Sequence, residues 1–203
     1  MKNNKQIGEQ QKMKYYTSDL HFGHNNIIKY ENRPFSSTQE MDEYLIYKWN
    51  NKVKNGDEVY ILGDFGFIKG DRANELLDRL NGQKYLIRGN HDNYFLNDKT
   101  FDKSKFVWIR DYASIKDNGE TICMFHYPIA VWDRQHHGAL HFYGHVHSNK
   151  DGHHPLLLDL GENAFNVGCD VHGYEPVSLE ELMNVRNFNR EYVARFESEA
   201  VSE

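Results

Sequence analysis

The chain has 203 residues, 39% hydrophobic and 27% charged, which excludes an intrinsically disordered chain and supports one packed core. Lys and Arg total 24 against 30 Asp and Glu, a formal net charge of −6, so the overall basic character that drives nonspecific nucleic-acid binding is absent. Cys123 and Cys169 form no paired motif and exclude a thiolate zinc cluster or a disulfide framework; both read as small buried residues.

No apolar run approaches the length of a membrane span, and residues 1–12 are polar rather than a signal-peptide core, so no membrane partner is expected and the expected compartment is the cytoplasm. Residues 1–12 read as a disordered extension and 13–203 as a single domain. Lys14–Ser18 is a strand candidate ending at Asp19. Ser37-Thr38-Gln39-Glu40 offers a capping box for a helix to about Val53, with Met41, Leu45, Trp49 and Val53 on its buried face.

Asn55-Gly56-Asp57 is a turn, and Glu58–Leu62 a strand that ends at Gly63-Asp64. Asp71 is the expected cap of a helix through Leu80, Gly82 ends it, and Lys84–Arg88 is a strand running into Gly89-Asn90-His91-Asp92. This alternation predicts parallel strands with helical crossovers, whose ligands gather at the carboxyl ends of strands.

After about Lys105 the pattern predicts a mostly antiparallel sheet, with a hairpin of Tyr112–Lys116 and Thr121–Phe125 about Asp117-Asn118-Gly119. Leu140–Tyr143 and Ala164–Val167 are further strands, and Ser178-Leu179-Glu180-Glu181 starts a last helix that continues or frays from about 188.

Five clusters carry metal-binding side chains: Asp19-Leu20-His21, Gly63-Asp64, Gly89-Asn90-His91-Asp92, His126 in Phe125-His126-Tyr127-Pro128, and Gly144-His145-Val146-His147. Carboxylate and amide oxygens mixed with imidazole nitrogens suit Mn, Fe, Zn or Ni better than Mg or Ca. Residues two apart at a strand end, as Asp19 and His21, project to one side and reach one ion. Asp64 can bridge two ions with its two oxygens, and Gly89 permits a tight turn. Alone, each cluster is also an ordinary turn or a structural histidine; His126 rests on the company of the others. His136, His137, His141, His153, His154 and His172 belong to no motif and read as solvent-facing or structural, while Tyr127 and Trp132 wall the cleft or fill the core.

The order D-x-H, GD, GNHD, H, GHxH, spanning Asp19 to His147, resembles the calcineurin-like metallophosphoesterase superfamily. Ser18-Asp19-Leu20-His21-Phe22-Gly23-His24-Asn25, Phe125-His126-Tyr127-Pro128 and Asn166-Val167-Gly168 resemble its small single-domain branch common in bacteria and phages. The resemblance implies a four-layer α/β/β/α sandwich with two mixed sheets and a dimetal site at strand ends. It implies one ion on Asp19, His21, Asp64 and His147, a second on Asp64, Asn90, His126 and His145, and His91 beside the substrate phosphate. Mn2+ is the expected metal, with Fe, Zn or Ni as alternatives.

Many relatives carry an Asp three places after the first in GDxxD; here that place is Phe67. His91 then needs another acceptor, and Asp92 is the candidate, grouped with it in catalysis. His24 reads equally as a donor to phosphate and as a helix-start hydrogen bond. Arg88 could fork onto phosphate, although its place on a strand favours a salt bridge. The expected reaction is hydrolysis of phosphomonoesters or phosphodiesters by a metal-bridging hydroxide on a small phosphoester or nucleotide-like substrate. A nuclease or cyclic-nucleotide phosphodiesterase is the alternative within enzymes, and a noncatalytic metal-binding scaffold the alternative outside them.

Overall fold

The computed structural model of the chain describes residues 12–148 and 160–187. The expectations for residues 1–11, for His153 and His154, and for a last helix that continues or frays from about 188 fall outside them.

Two mixed sheets face each other. The first contains β1 (Lys14–Thr17), β2 (Glu58–Ile61), β3 (Gln83–Ile87), β4 (Ile109–Arg110) and β9 (Val177–Ser178), in the order β4-β3-β2-β1-β9. Its strands are parallel except for β9, which pairs antiparallel with β1. The second has the order β5-β6-β7-β8, from β5 (Tyr112–Asp117), β6 (Glu120–Phe125), β7 (Leu140–Tyr143) and β8 (Ala164–Asn166).

Alternation along the strands sorts side chains into layers. Tyr16, Tyr60, Leu62, Tyr85 and Ile87 face Ile122, Met124, Leu140 and Phe142 between the sheets, and Tyr16, Tyr60 and Tyr85 form a stacked column there. Val59, Ile61 and Leu86 point the other way, against Met41, Leu45 and Trp49 of α2 (Thr38–Lys52) and Ala73, Leu76 and Leu77 of α3 (Gly70–Arg79). Beyond the second sheet, Trp132 packs on Cys123 and Ala139. The expected α/β sandwich with two mixed sheets is thus the architecture, and both cysteines are buried.

α2 starts as its sequence predicts, with the Ser37 hydroxyl accepting from Glu40 N at 3.2 Å. The Glu40 carboxylate closes the box one residue early, on Ser36 N at 2.8 Å. The second box is reciprocal: Glu181 N donates to Ser178 Oγ at 3.3 Å and Ser178 N to Glu181 Oε2 at 2.7 Å, opening a helix over 179–187. Asp71 does not cap α3: Lys69 holds that place, and Asp71 sits in the first turn, where its charge favours the helix dipole. Two short helices, α1 (Asn25–Tyr30) and α4 (Asn93–Leu96), span too little chain to show a helical period.

The mostly antiparallel second sheet needs correction. The hairpin forms, with Asn118 (φ 45°) and Gly119 (φ 89°) both left-handed as a tight primed turn requires. However, β6, β7 and β8 run parallel. The connection over 126–139 crosses back instead of folding into a hairpin. As a result β6, β7 and β8 end on the same side as β1, β2 and β3. The two sheets meet there: Ser18 bridges to Gly168, and Cys169 N donates to Ser18 O at 2.9 Å.

Candidate metal centre

All five clusters sit just past the carboxyl ends of β1, β2, β3, β6 and β7. Asp19 and His21 lie beyond β1, so the strand pleat does not align them. Left-handed backbone does: φ is 57° at Asp19, 54° at His21, 53° at Asp64, 70° at His145 and 47° at His147. Each such residue costs about 1–2 kcal/mol, a cost found where the surroundings fix a functional geometry.

Two groups of potential ligand atoms result, Asp19 with His21 and His147, and Asp64 with His126 and His145; within each the atoms lie within 4.8 Å of one another. His145 and His147 therefore part company. Asp64 stands between the groups. Its Oδ2 is 3.7 Å from His21 Nε2, 3.6 Å from His126 Nε2 and 4.0 Å from His91 Nε2, while its Oδ1 accepts from His91 N at 2.9 Å. Asp19 accepts from His145 N through both oxygens, at 3.1 and 2.9 Å.

The histidines present bare nitrogens to this space. His126 Nδ1 lies 2.7 Å from Leu62 O and so carries the proton, leaving the Nε2 lone pair facing Asn90 Oδ1 at 3.0 Å. Two acceptors at that distance repel unless a cation lies between, and neighbouring ligands of an octahedral ion at about 2.1 Å stand about 3 Å apart. His21 Nε2 is buried with no hydrogen-bond partner. Its Nδ1 meets His24 Nδ1 at 3.3 Å. Desolvation holds the His21 pKa well below its ordinary value, followed by the nearby His147 and Arg33, so the ring is neutral and fit to ligate. Desolvation raises Asp19. For His147 desolvation opposes charge, but the hydrogen bond to Asp170 and the nearby Asp19 prevail and raise it. The donor set, the orphaned His21 nitrogen and the gaps around Asp64 fit divalent ions.

Gly89 serves by size rather than by turning: a Cβ there would strike the Asp64 carboxylate and amide. A Cβ on Gly144 would likewise meet Ser18 and Asp19.

Asp92 does not orient His91. Its buried carboxylate accepts from Asp64 N at 3.0 Å, Phe65 N at 2.8 Å and Gly89 N at 2.7 Å, and so ties the second and third site loops together. Desolvation pushes its pKa up to about 7, opposed by the Gly89 and Phe65 amides and reinforced by the nearby Asp64 charge. Arg88 spends its fork on Asp111, with Nε–Oδ1 and Nη2–Oδ2 both 2.7 Å, which replaces the phosphate contact by the salt bridge. His24 makes no side-chain cap to α1; desolvation lowers its pKa, and its ring lies 6.2 Å from that of His91. Phe67 occupies the mouth, stacked on Tyr94 and edge-on to His91. On the opposite rim Tyr127 meets the His145 ring and reaches Asn90 Oδ1 at 3.4 Å. Trp132 and His141 are buried behind the second sheet, and His136 and His137 are not part of either group.

Sequence reading missed Arg33 and Asp170, which sit behind the first group: Asp170 Oδ2 is 2.9 Å from His147 Nδ1, and Arg33 pairs with Asp170. Neither lies in a ligand motif, and they stand far apart in the chain, so no local pattern marks them.

No family model matches the chain. An uncharacterized protein of Methanocaldococcus jannaschii, MJ1445, is 37% identical over 173 residues, covering 84% of this chain and 89% of that protein. The chain belongs to the family of this archaeal protein. The Gene 66 protein of Mycobacterium phage D29 is 30% identical over 202 residues, covering 85% of this chain and 95% of its own. Among solved structures, a protein of unknown function from Aquifex aeolicus, AQ665, matches at TM-score 0.66 and 27% identity, over 85% of this chain and 98% of that one. These three proteins align with this chain over 89%, 95% and 98% of their own lengths.

Proposed function

We propose that the protein is a dimetal phosphoesterase of calcineurin-like type. Asp19, His21, Asp64 and His147 hold one ion, and Asp64, Asn90, His126 and His145 the other. The observation that carries this is the convergence of the His21 and His126 nitrogens, one from each ligand set, on one Asp64 oxygen at 3.7 and 3.6 Å, distances too long for hydrogen bonds. Two divalent ions, Mn2+ first with Fe, Zn or Ni as alternatives, supply Lewis acidity, acidifying water and polarising a phosphoryl oxygen.

The chain's own residues do the rest. Asp64 is the shared ligand, fixed by its bond from His91 N. Asp92 holds its loop. His91, partly exposed and wedged edge-on between His21 and Phe67, stands where it can donate a proton to the leaving oxygen. With Arg88 tied to Asp111 and Arg33 buried, phosphate contact falls to Asn90, His91 and the ions. The acidic chain favours a small phosphoester or nucleotide-like substrate over a long polyanion.

Metal analysis coupled to a panel of a nitrophenyl monoester, its diester, a cyclic nucleotide and single-stranded DNA tests this reading. Two ions per chain and hydrolysis of at least one ester are expected. Bound metal with no hydrolysis anywhere would replace the enzyme by a metal-binding scaffold.

A further inference from the structure

His21 and His24 face each other through like atoms, their Nδ1 nitrogens 3.3 Å apart. Two lone pairs or two N–H groups would repel at that distance, so a single proton lies between them, on one ring or the other. If His24 carries it, His21 Nδ1 is bare and the neutral His21 ring keeps its own proton on Nε2, buried without an acceptor and 3.7 Å from Asp64 Oδ2. If His21 carries it, Nε2 is left bare toward Asp64, as a ligand must be.

We propose that His24 is the positioning residue of His21: its Nδ1 accepts the His21 Nδ1 proton, which leaves the His21 Nε2 lone pair for an ion and obliges His24 to keep its own proton on Nε2. The proposal rests on the dimetal reading above.

The backbone is built to hold this contact. His24 N donates to His21 O at 3.0 Å, and Gly23 between them is left-handed, φ 71°, so His21-Phe22-Gly23-His24 is a tight turn that returns the second ring to the first. A Cβ on Gly23 would strike Ile68 Cγ2. The buried Asp42 carboxylate accepts from Gly23 N at 3.0 Å, and the fully buried Phe22 bridges to Gly66, so the turn is anchored on two sides. The His24 ring is backed by Phe67, with centroids 5.2 Å apart, and the His21 ring by His147, 5.0 Å away at 25°. His24 stands just ahead of α1 yet gives that helix no side-chain cap, so its Nδ1 is left for His21.

A ligating histidine is ordinarily oriented by a hydrogen bond from its other ring nitrogen to a carbonyl or carboxylate. Leu62 O serves His126 in this way, and Asp170 serves His147. Those acceptors have no proton to place. An imidazole accepts in one tautomer only, so the ligand form of His21 and the tautomer of His24 are set together, and ligation through His21 Nε2 selects both.

The test uses the full chain and Zn2+, which is diamagnetic. In nitrogen NMR spectra of the Zn2+-loaded wild type, His21 should carry its proton on Nδ1 and His24 on Nε2; His24 protonated on Nδ1 would overturn the proposal. Calorimetric Zn2+ titration then compares three variants. His24→Asn puts an amide oxygen close to the place of Nδ1, whereas His24→Gln carries its amide out to the place of Nε2. His24→Ala and His24→Gln should each weaken the uptake of one ion by about 10–100-fold, and His24→Asn should restore it to within about threefold of wild type. Wild-type affinity in His24→Ala, or any ranking other than Asn above both Gln and Ala, would overturn the proposal; rescue by Gln instead of Asn would show that the ring acts through its outer nitrogen. If His24→Ala does not fold, the wild-type spectra still decide. A wild-type chain that binds no Zn2+ overturns the dimetal reading itself.

Discussion

His21 Nε2 stands 3.7 Å from Asp64 Oδ2, both side chains almost wholly shielded from solvent, and the nitrogen has no hydrogen-bond partner. Leaving such a group unsatisfied costs about 1–3 kcal/mol, and several left-handed residues around it add strain. Ion binding would satisfy the nitrogen and offset the strain. Chelation by EDTA should therefore lower the thermal midpoint as well as abolish phosphoester hydrolysis, and Mn2+ should restore both better than Mg2+. Full activity in excess chelator would point to another chemistry.

Asp64 and His91 should separate by phenotype. Asp64→Ala removes the ligand between the two groups and should lose metal and nearly all turnover. His91→Ala should keep both ions and lose about 100-fold or more in kcat, the contribution of a positioned proton donor. Metal content measured beside single-turnover rates distinguishes them; unchanged hydrolysis in Asp64→Ala would refute the site.

Asp92 accounts for three buried backbone donors, on Asp64, Phe65 and Gly89. Asp92→Ala strands all three and should lose about 3 kcal/mol or more of stability, and Asp92→Asn, whose NH2 replaces one of the two accepting oxygens, should lose about 1–3 kcal/mol. Urea unfolding checks this. Wild-type stability in Asp92→Asn would show that the contacts are not needed.

Phe67 and Tyr94 stack with ring centroids 4.8 Å apart at 8°, and are 44% and 49% exposed at the edge of His91. A flat leaving group can pack on them. Phe67→Ala should lower kcat/KM about threefold to tenfold for an aryl phosphoester and leave an alkyl one nearly unchanged. Equal losses on the two substrates would mean that Phe67 acts only through the His91 ring.

His141 links stability to pH. It is fully buried, with Nδ1 3.2 Å from Cys123 O and Nε2 accepting from Ile129 N at 3.2 Å, and desolvation lowers its pKa from 6.5 to about 4. The unfolded chain takes up a proton below pH 6.5 that the folded chain refuses until about pH 4. The contribution is complete above pH 6.5 and is lost as the pH falls through that window, approaching about 3 kcal/mol. His141→Gln should flatten the fall in urea midpoint between pH 7 and pH 5, and a slope equal to wild type would clear His141 of the effect.

Much of the fold is local and was legible. The buried stripe of Met41, Leu45, Trp49 and Val53, the Ser178 box and the Asn118-Gly119 turn each follow from neighbours in sequence. The direction of β7 and β8 was not, because strand pairing depends on a crossover whose path periodicity does not encode.

At the site, residue types and their order were written in the chain: Asp19, His21, Asp64, Asn90, His126, His145 and His147 can be picked out by chemistry alone. Tertiary structure decided what each side chain faces. It gave Asp92 to the loop amides and Arg88 to Asp111, and set Phe67 against His91. It also brought Arg33 and Asp170 together behind His147. Ligand identity is a property of single residues and survives in sequence. Hydrogen-bond partnership is a property of distances between residues far apart in the chain, and only the packed sheets fix those.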